Sequence, residues 1–130
     1  MWPFARRGDA GGHGEGLAAR HLRRQGYKIL ARNYRCPSGE ADIIALAPDD
    51  HDGAGAIAFV EVKTRSASQL ADPESAVDRR KRRQIVGVAR YYLSCRDIGD
   101  RPVRFDTVAV ILADGQKPVI RHTPDAFGPE

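Results

Sequence analysis

The stretch GAIAFVEVKTRS, residues 55 to 66, decides how this chain folds. It opens as an apolar run of the kind that fills a buried strand, then places Glu61 and Lys63 two positions apart. Successive side chains of a strand alternate between its faces, so Glu61 and Lys63 project together with Phe59, while Val60 and Val62 project the other way. One face is apolar throughout and the other turns polar near its end. A charge beneath a packed layer must be exposed, paired or functional, because leaving it buried alone is expensive. Exposure is the plainest of the three, since an acid two residues before a lysine recurs by chance in a chain of ordinary composition.

Working outward, YKILARNYR (27–35) alternates as a strand, CPSGE (36–40) has the Pro and Gly of a turn, and ADIIALA (41–47) reads as a second strand. With residues 55–66 these predict three antiparallel strands in a meander. Upstream, Glu15 to Gln25 suits a helix closed by Gly26, with Ala18, Ala19 and Leu22 as its inward stripe. Glu15 shares that stripe, although a first-turn glutamate favoured by the helix dipole and reaching solvent is the plainer expectation. Downstream, ASQLADPES (67–75) is a loop, and Asp72 or Asp78 starts a helix running to about Ser94. Its apolar face carries Ile85, Val88, Ala89 and Tyr92, and Gly87 inside it means close packing or mere tolerance. VRFDTVAVIL (103–112) is a fourth strand, and KPVIRH (117–122) pairs with it across the Asp114-Gly115 turn. Residues 1–13 are expected as a flexible tail, 14–122 as a single domain and 123–130 as a C-terminal tail.

At 130 residues the chain has room for one core. The net charge of +4 and the unbroken run Arg79, Arg80, Lys81, Arg82 and Arg83 favour a polyanionic partner over the alternative of a solvated helix face. Cys36 and Cys95 lack the spacing of a metal site and are expected as free, buried thiols in a reducing compartment. His13, His21, His51 and His122 are isolated in sequence and are expected at the surface. The longest apolar stretch, VAVILA (108–113), is far below the roughly 18 residues of a membrane span, and the N-terminal residues lack the apolar core of an export signal. A cytoplasmic protein with no membrane partner is expected.

An antiparallel hairpin brings Asp42 beside Glu61. Two adjacent carboxylates repel one another, yet they are what a hard divalent cation requires. Lys63 on the same face supplies a positive charge that can orient an attacking water and balance a developing oxyanion. Glu15 can complete the constellation from the first helix. A helix turns about 100° per residue, so the basic run sweeps more than a full turn and cannot lie on one solvated face. Lys81 falls on the inward side, either facing those carboxylates or snorkelling to solvent.

These blocks, HGEGLAARHLRRQGYKILARNYRCPSGEADIIA, FVEVKTRS, PESAVDRRKRRQI and VRFDTVAV, resemble the YraN family of bacterial proteins from residue 13 to about 111. That family is similar to archaeal Holliday-junction resolvases within the PD-(D/E)XK, or restriction-endonuclease-like, superfamily. The resemblance implies an α/β fold with a restriction-endonuclease-like core, a mixed central β-sheet flanked by helices. It implies catalytic roles for Glu15, Asp42, Glu61 and Lys63, and Mg²⁺ or Mn²⁺ held by Asp42, Glu61 and the Val62 carbonyl. Ala41 replaces the proline of the superfamily motif. Lys81 and Gln84 match polar positions of the following helix, and Arg79, Arg80, Lys81, Arg82, Arg83 and Gln84 form the expected nucleic-acid-binding segment. The implied activity is metal-dependent endonucleolytic hydrolysis of DNA, with branched or junction DNA as the substrate class and a homodimer as the assembly. The alternative is a non-catalytic nucleic-acid-binding protein using the basic helix around 79–83. Asp106 has no expected role beyond an ion pair or hydrogen bond.

Overall fold

The computed structural model describes residues 9–49, 55–66 and 79–129. Helix α1 (Asp9–Arg24) is followed by β1 (Lys28–Cys36), β2 (Gly39–Leu46) and β3 (Ile57–Ser66). Helix α2 (Arg79–Ser94) leads into β4 (Val103–Leu112) and β5 (Val119–Phe127). The candidate helix starts at Asp72 and Asp78 lie outside the described residues. Two expected boundaries move. Helix α1 begins at Asp9, ahead of Glu15, and β5 runs on to Phe127 through residues expected as a tail.

The strands form one five-stranded sheet in the order β1-β2-β3-β4-β5. The first three are the antiparallel meander, β3 and β4 are parallel, and β5 returns antiparallel to β4. A parallel step cannot be made by a tight turn, and α2, which lies between β3 and β4 in the chain, packs on one face of the sheet. The fold is α/β with a mixed sheet.

The alternation read in β3 sorts the two layers. Ala58 and Val60 pack with Ile43, Ala45, Val108, Val110 and the α1 stripe of Ala18, Ala19 and Leu22. Ile57 and Phe59 pack with Ile44, Phe105 and the α2 residues Ile85, Val88, Ala89 and Tyr92. Helix α1 thus covers one face and α2 the other. At the end of α1, Gly26 takes φ +91°. The Gly26 and Tyr27 amides donate to the Arg23 and Leu22 carbonyls, each over 3.0 Å, which turns the chain sharply into β1. Gly87 resolves to close packing, for a methyl group there would come within 3.3 Å of Ser38 Cβ in the β1–β2 turn. Among the described residues no helix is long and apolar enough to cross a membrane.

Candidate functional site

Glu61 and Lys63 leave β3 on the face covered by α2, beyond Phe59. Because β3 and β4 run parallel in register, their neighbours on that face are Thr107 and Ala109, small side chains beside two long ones. Helix α2 runs back over the sheet, so its first turn arrives where β3 ends. That turn carries no acid and begins with the basic run. The basic run therefore puts positive charge where β3 ends, which favours an anion there.

Glu61 is 2 % exposed, and neither carboxylate oxygen has a hydrogen-bond partner. Lys81 Nζ approaches Oε2 to 2.6 Å as an ionic contact outside hydrogen-bond geometry, and the Lys81 side chain is 49 % exposed. Both readings of Lys81 therefore hold: its ammonium meets the carboxylate and its stem stays in solvent. A buried carboxylate without hydrogen bonds is costly, and one half-solvated ammonium offsets only part of that cost.

Pairing between β2 and β3 is continuous from Leu46↔Ile57 to Ile43↔Val60. One residue beyond, Asp42 directs its carboxylate at β3, where Oδ2 accepts a hydrogen bond from the Val62 amide over 2.8 Å. Asp42 is thereby fixed on the backbone of the residue between Glu61 and Lys63. Lys63 is buried with Glu61 on the same face. Glu15 is also buried, at 4 % exposure, so the plainer expectation of a solvent-reaching glutamate fails. It belongs to the α1 layer, and Gly14 beside it lies against Thr64 of β3. Among the described residues no three His, Cys, Asp or Glu side chains come close enough together to hold a metal ion. Asp42 and Glu61 flank Val62; Glu15 does not join them in such a group.

Of the basic segment, Arg79, Arg80 and Arg83 are exposed. Arg82 is half-buried, its guanidinium carbon 5.2 Å from the centre of the Phe127 ring. Gln84 is exposed and lies over Gly39, whose φ of +136° and lack of a side chain allow the approach.

A second polar cluster lies on the α1 face, where Asp106 makes the ion pair and hydrogen bonds expected of it, while the cluster's His122 and Tyr27 were not foreseen. Asp106 is fully buried in β4, and its carboxylate accepts from Arg104 Nε (2.9 Å) and Nη2 (3.0 Å), His122 Nε2 (2.8 Å) and the Asp125 amide (2.9 Å). Arg104 Nη2 also donates to the Tyr27 hydroxyl over 2.7 Å. His122, expected at the surface, has a buried side chain. Burial alone would raise the Asp106 pKa, but the hydrogen bonds from His122, Arg104 and Asp125 and the Arg104 charge lower it to about 2. The legible signal was RFD, which puts Arg104 and Asp106 on one face of a strand; the histidine depended on β5 register. Both cysteines are free, but Cys95 is exposed and Cys36 only partly buried, against the expectation of buried thiols.

Residues 14–110 match the model of a family described as "Uncharacterised protein family UPF0102". The chain is 46 % identical over 114 residues to a UPF0102 protein of Trichlorobacter lovleyi, a match covering 88 % of this chain and 86 % of that one. It is 44 % identical over 127 residues to one of Nocardia farcinica, covering 95 % of each, and 44 % identical over 117 residues to one of Geobacter metallireducens, covering 90 % of each.

Proposed function

From the premise that the chain belongs to the UPF0102 (YraN) family, whose description states no activity, we propose that it is a metal-dependent endonuclease acting on DNA, with a restriction-endonuclease-like core. The observation that carries this reading is Glu61: a carboxylate buried at 2 % exposure, without a hydrogen bond, beside Asp42 and Lys63. A fold has no structural need for such a group, whereas an all-oxygen set of Asp42, Glu61 and the Val62 carbonyl suits Mg²⁺ or Mn²⁺.

A cation held there would neutralise charge on the scissile phosphate and acidify a bound water. The remaining work falls to the chain. The Val62 amide holds Asp42 in place, and burial holds Glu61 rigid. Lys63 positions the attacking water for in-line displacement and balances the negative charge that develops on the phosphate oxygens. Glu15 enters at one remove, through water. The arginines of α2 grip the phosphates on either side. Similarity to junction resolvases makes branched DNA the first substrate to try and a two-fold dimer the natural assembly for paired strands.

One observation favours the non-catalytic alternative. The Lys81 ammonium already stands at Glu61, and a protein that only binds nucleic acid could retain that pair as a fixed part of its basic surface. The two readings separate in one experiment. End-labelled four-way junction, flap, duplex and single-stranded DNA are incubated with the protein in Mn²⁺, Mg²⁺ or EDTA, alongside Glu61→Gln. Cleavage that needs metal and is lost in Glu61→Gln establishes the nuclease. Salt-sensitive binding without cleavage, unchanged in Glu61→Gln, leaves the binding protein.

A further inference from the structure

Beyond the Glu61 contact, α2 borders two adjoining hollows. The first, about 240 Å³, lies between α2 and the ends of β4 and β5, against Val86, Ala89, Leu93, Phe105 and Phe127, with Val103 at its mouth. The second, about 150 Å³, is bordered by Arg82, Arg83 and Arg90, and the two meet at Val86, Arg90, Gly128 and Pro129. The pair is an apolar pocket opening into a basic one.

Three features identify the occupant. Among the described residues no carboxylate pairs with Arg82, Arg83 or Arg90. The Arg82 Nε is buried without a hydrogen-bond partner, a donor that an incoming acceptor would satisfy. The apolar hollow, lined by a single acid, Asp125, is smaller than the roughly 300 Å³ at which drug-sized sites begin, which suits one planar ring system. Guanidinium groups beside a small apolar slot match a phosphate and its base. In a duplex the bases are stacked and cannot enter; an unpaired base can. Lys81 contacts Glu61, and Ala89 of the pocket lies eight residues further along α2, about 12 Å at the helical rise.

We propose that this bipartite groove binds an unpaired nucleotide, its phosphate on Arg82, Arg83 and Arg90 and its base in the pocket behind Val103, so that the preferred DNA carries a single-stranded segment about 12 Å along α2 from the Lys81–Glu61 contact. This rests on the nucleic-acid reading above but not on catalysis.

The test is fluorescence anisotropy in EDTA with labelled oligothymidine, an abasic strand of equal length and a blunt duplex. Oligothymidine should bind about tenfold tighter than the abasic strand, within the range known for a single stacked base. Val103→Glu, at a position 37 % exposed, should bring that ratio close to one, and Arg90→Ala should weaken both strands alike. Ratios are compared because a charge change acts equally on both strands, and melting curves verify that each variant is folded. Equal binding of oligothymidine and the abasic strand by the wild type overturns the proposal. So does sedimentation showing a dimer that Val103→Glu dissociates while oligothymidine affinity stays unchanged, which would make the groove a contact between copies of this chain. A protein that cleaves nothing but discriminates the two strands in EDTA would sink the nuclease reading and leave this one standing.

Discussion

The Lys81 ammonium of α2 stands 2.6 Å from Oε2 of Glu61 in β3, joining the first turn of a helix to the end of the strand before it. The pair is asymmetric, because the carboxylate is buried and the lysine is half in solvent. A half-solvated ammonium leaves readily, so a stronger cation can take its place.

Lys81→Met should therefore lower the melting temperature in EDTA and enlarge the rise produced by Mn²⁺ or Mg²⁺ relative to wild type. The variant loses the ammonium that contacts Glu61 Oε2, and the metal no longer competes with it for that carboxylate. Thermal unfolding across a metal titration decides it. An identical metal-induced rise in both proteins would mean that Lys81 and the metal do not share Glu61.

Lys63→Ala should reduce cleavage by about a hundredfold or more, the scale for removing one group that stabilises transition-state charge, while the metal-induced rise in melting temperature survives. Glu61→Gln should abolish both. A Lys63→Ala protein that cuts at the wild-type rate would remove Lys63 from the mechanism.

Asp106→Asn should destabilise the protein by about 2 kcal/mol at neutral pH. The folded-state pKa, about 2, lies below the ordinary value of 3.8, so the stabilisation is fully present above about pH 4 and is lost as the pH falls toward 2. Wild type and variant should converge in urea melts over that interval. Because Asp106 lies on the α1 face and Glu61 on the α2 face, the metal-induced rise in melting temperature should be retained.

Two glycines of α1, two residues apart, should respond with opposite signs. A methyl group at Gly16 meets nothing within 4 Å, so Gly16→Ala should gain about 0.5–1 kcal/mol from helix propensity. A methyl group at Gly14 runs into the Thr64 hydroxyl, so Gly14→Ala should lose about 1–3 kcal/mol as α1 is pushed off β3. Chemical denaturation of the two variants reads the difference directly.

How much was legible depended on how local each signal is. The alternation Phe59, Glu61, Lys63 against Val60, Val62 is a property of consecutive residues, and it placed both charges on one face before any fold was known. Strands β1 to β4 and the α2 apolar face followed from the same kind of local period. The failures had non-local causes. Helix α1 reaches back to Asp9 through glycines that propensity disfavours, and β5 continues to Phe127 across Pro124, held there by the Asp125 amide on Asp106. His122 had no neighbour in sequence to betray its burial; it meets Asp106 only because β5 pairs with β4 so that Val108 faces His122.

The amino-acid sequence by itself thus determined the order of the elements, the meander of the first three strands and the shared direction of Glu61 and Lys63, since each arises from backbone geometry over a few residues. Tertiary structure alone decided that this face lies under α2, that Asp42 caps the Val62 amide, that Lys81 meets Glu61 and that three arginines open onto an apolar pocket. Those relations join residues distant in the chain. Strand register and the path of the crossover helix set them, and both are chosen by burial of the whole core at once.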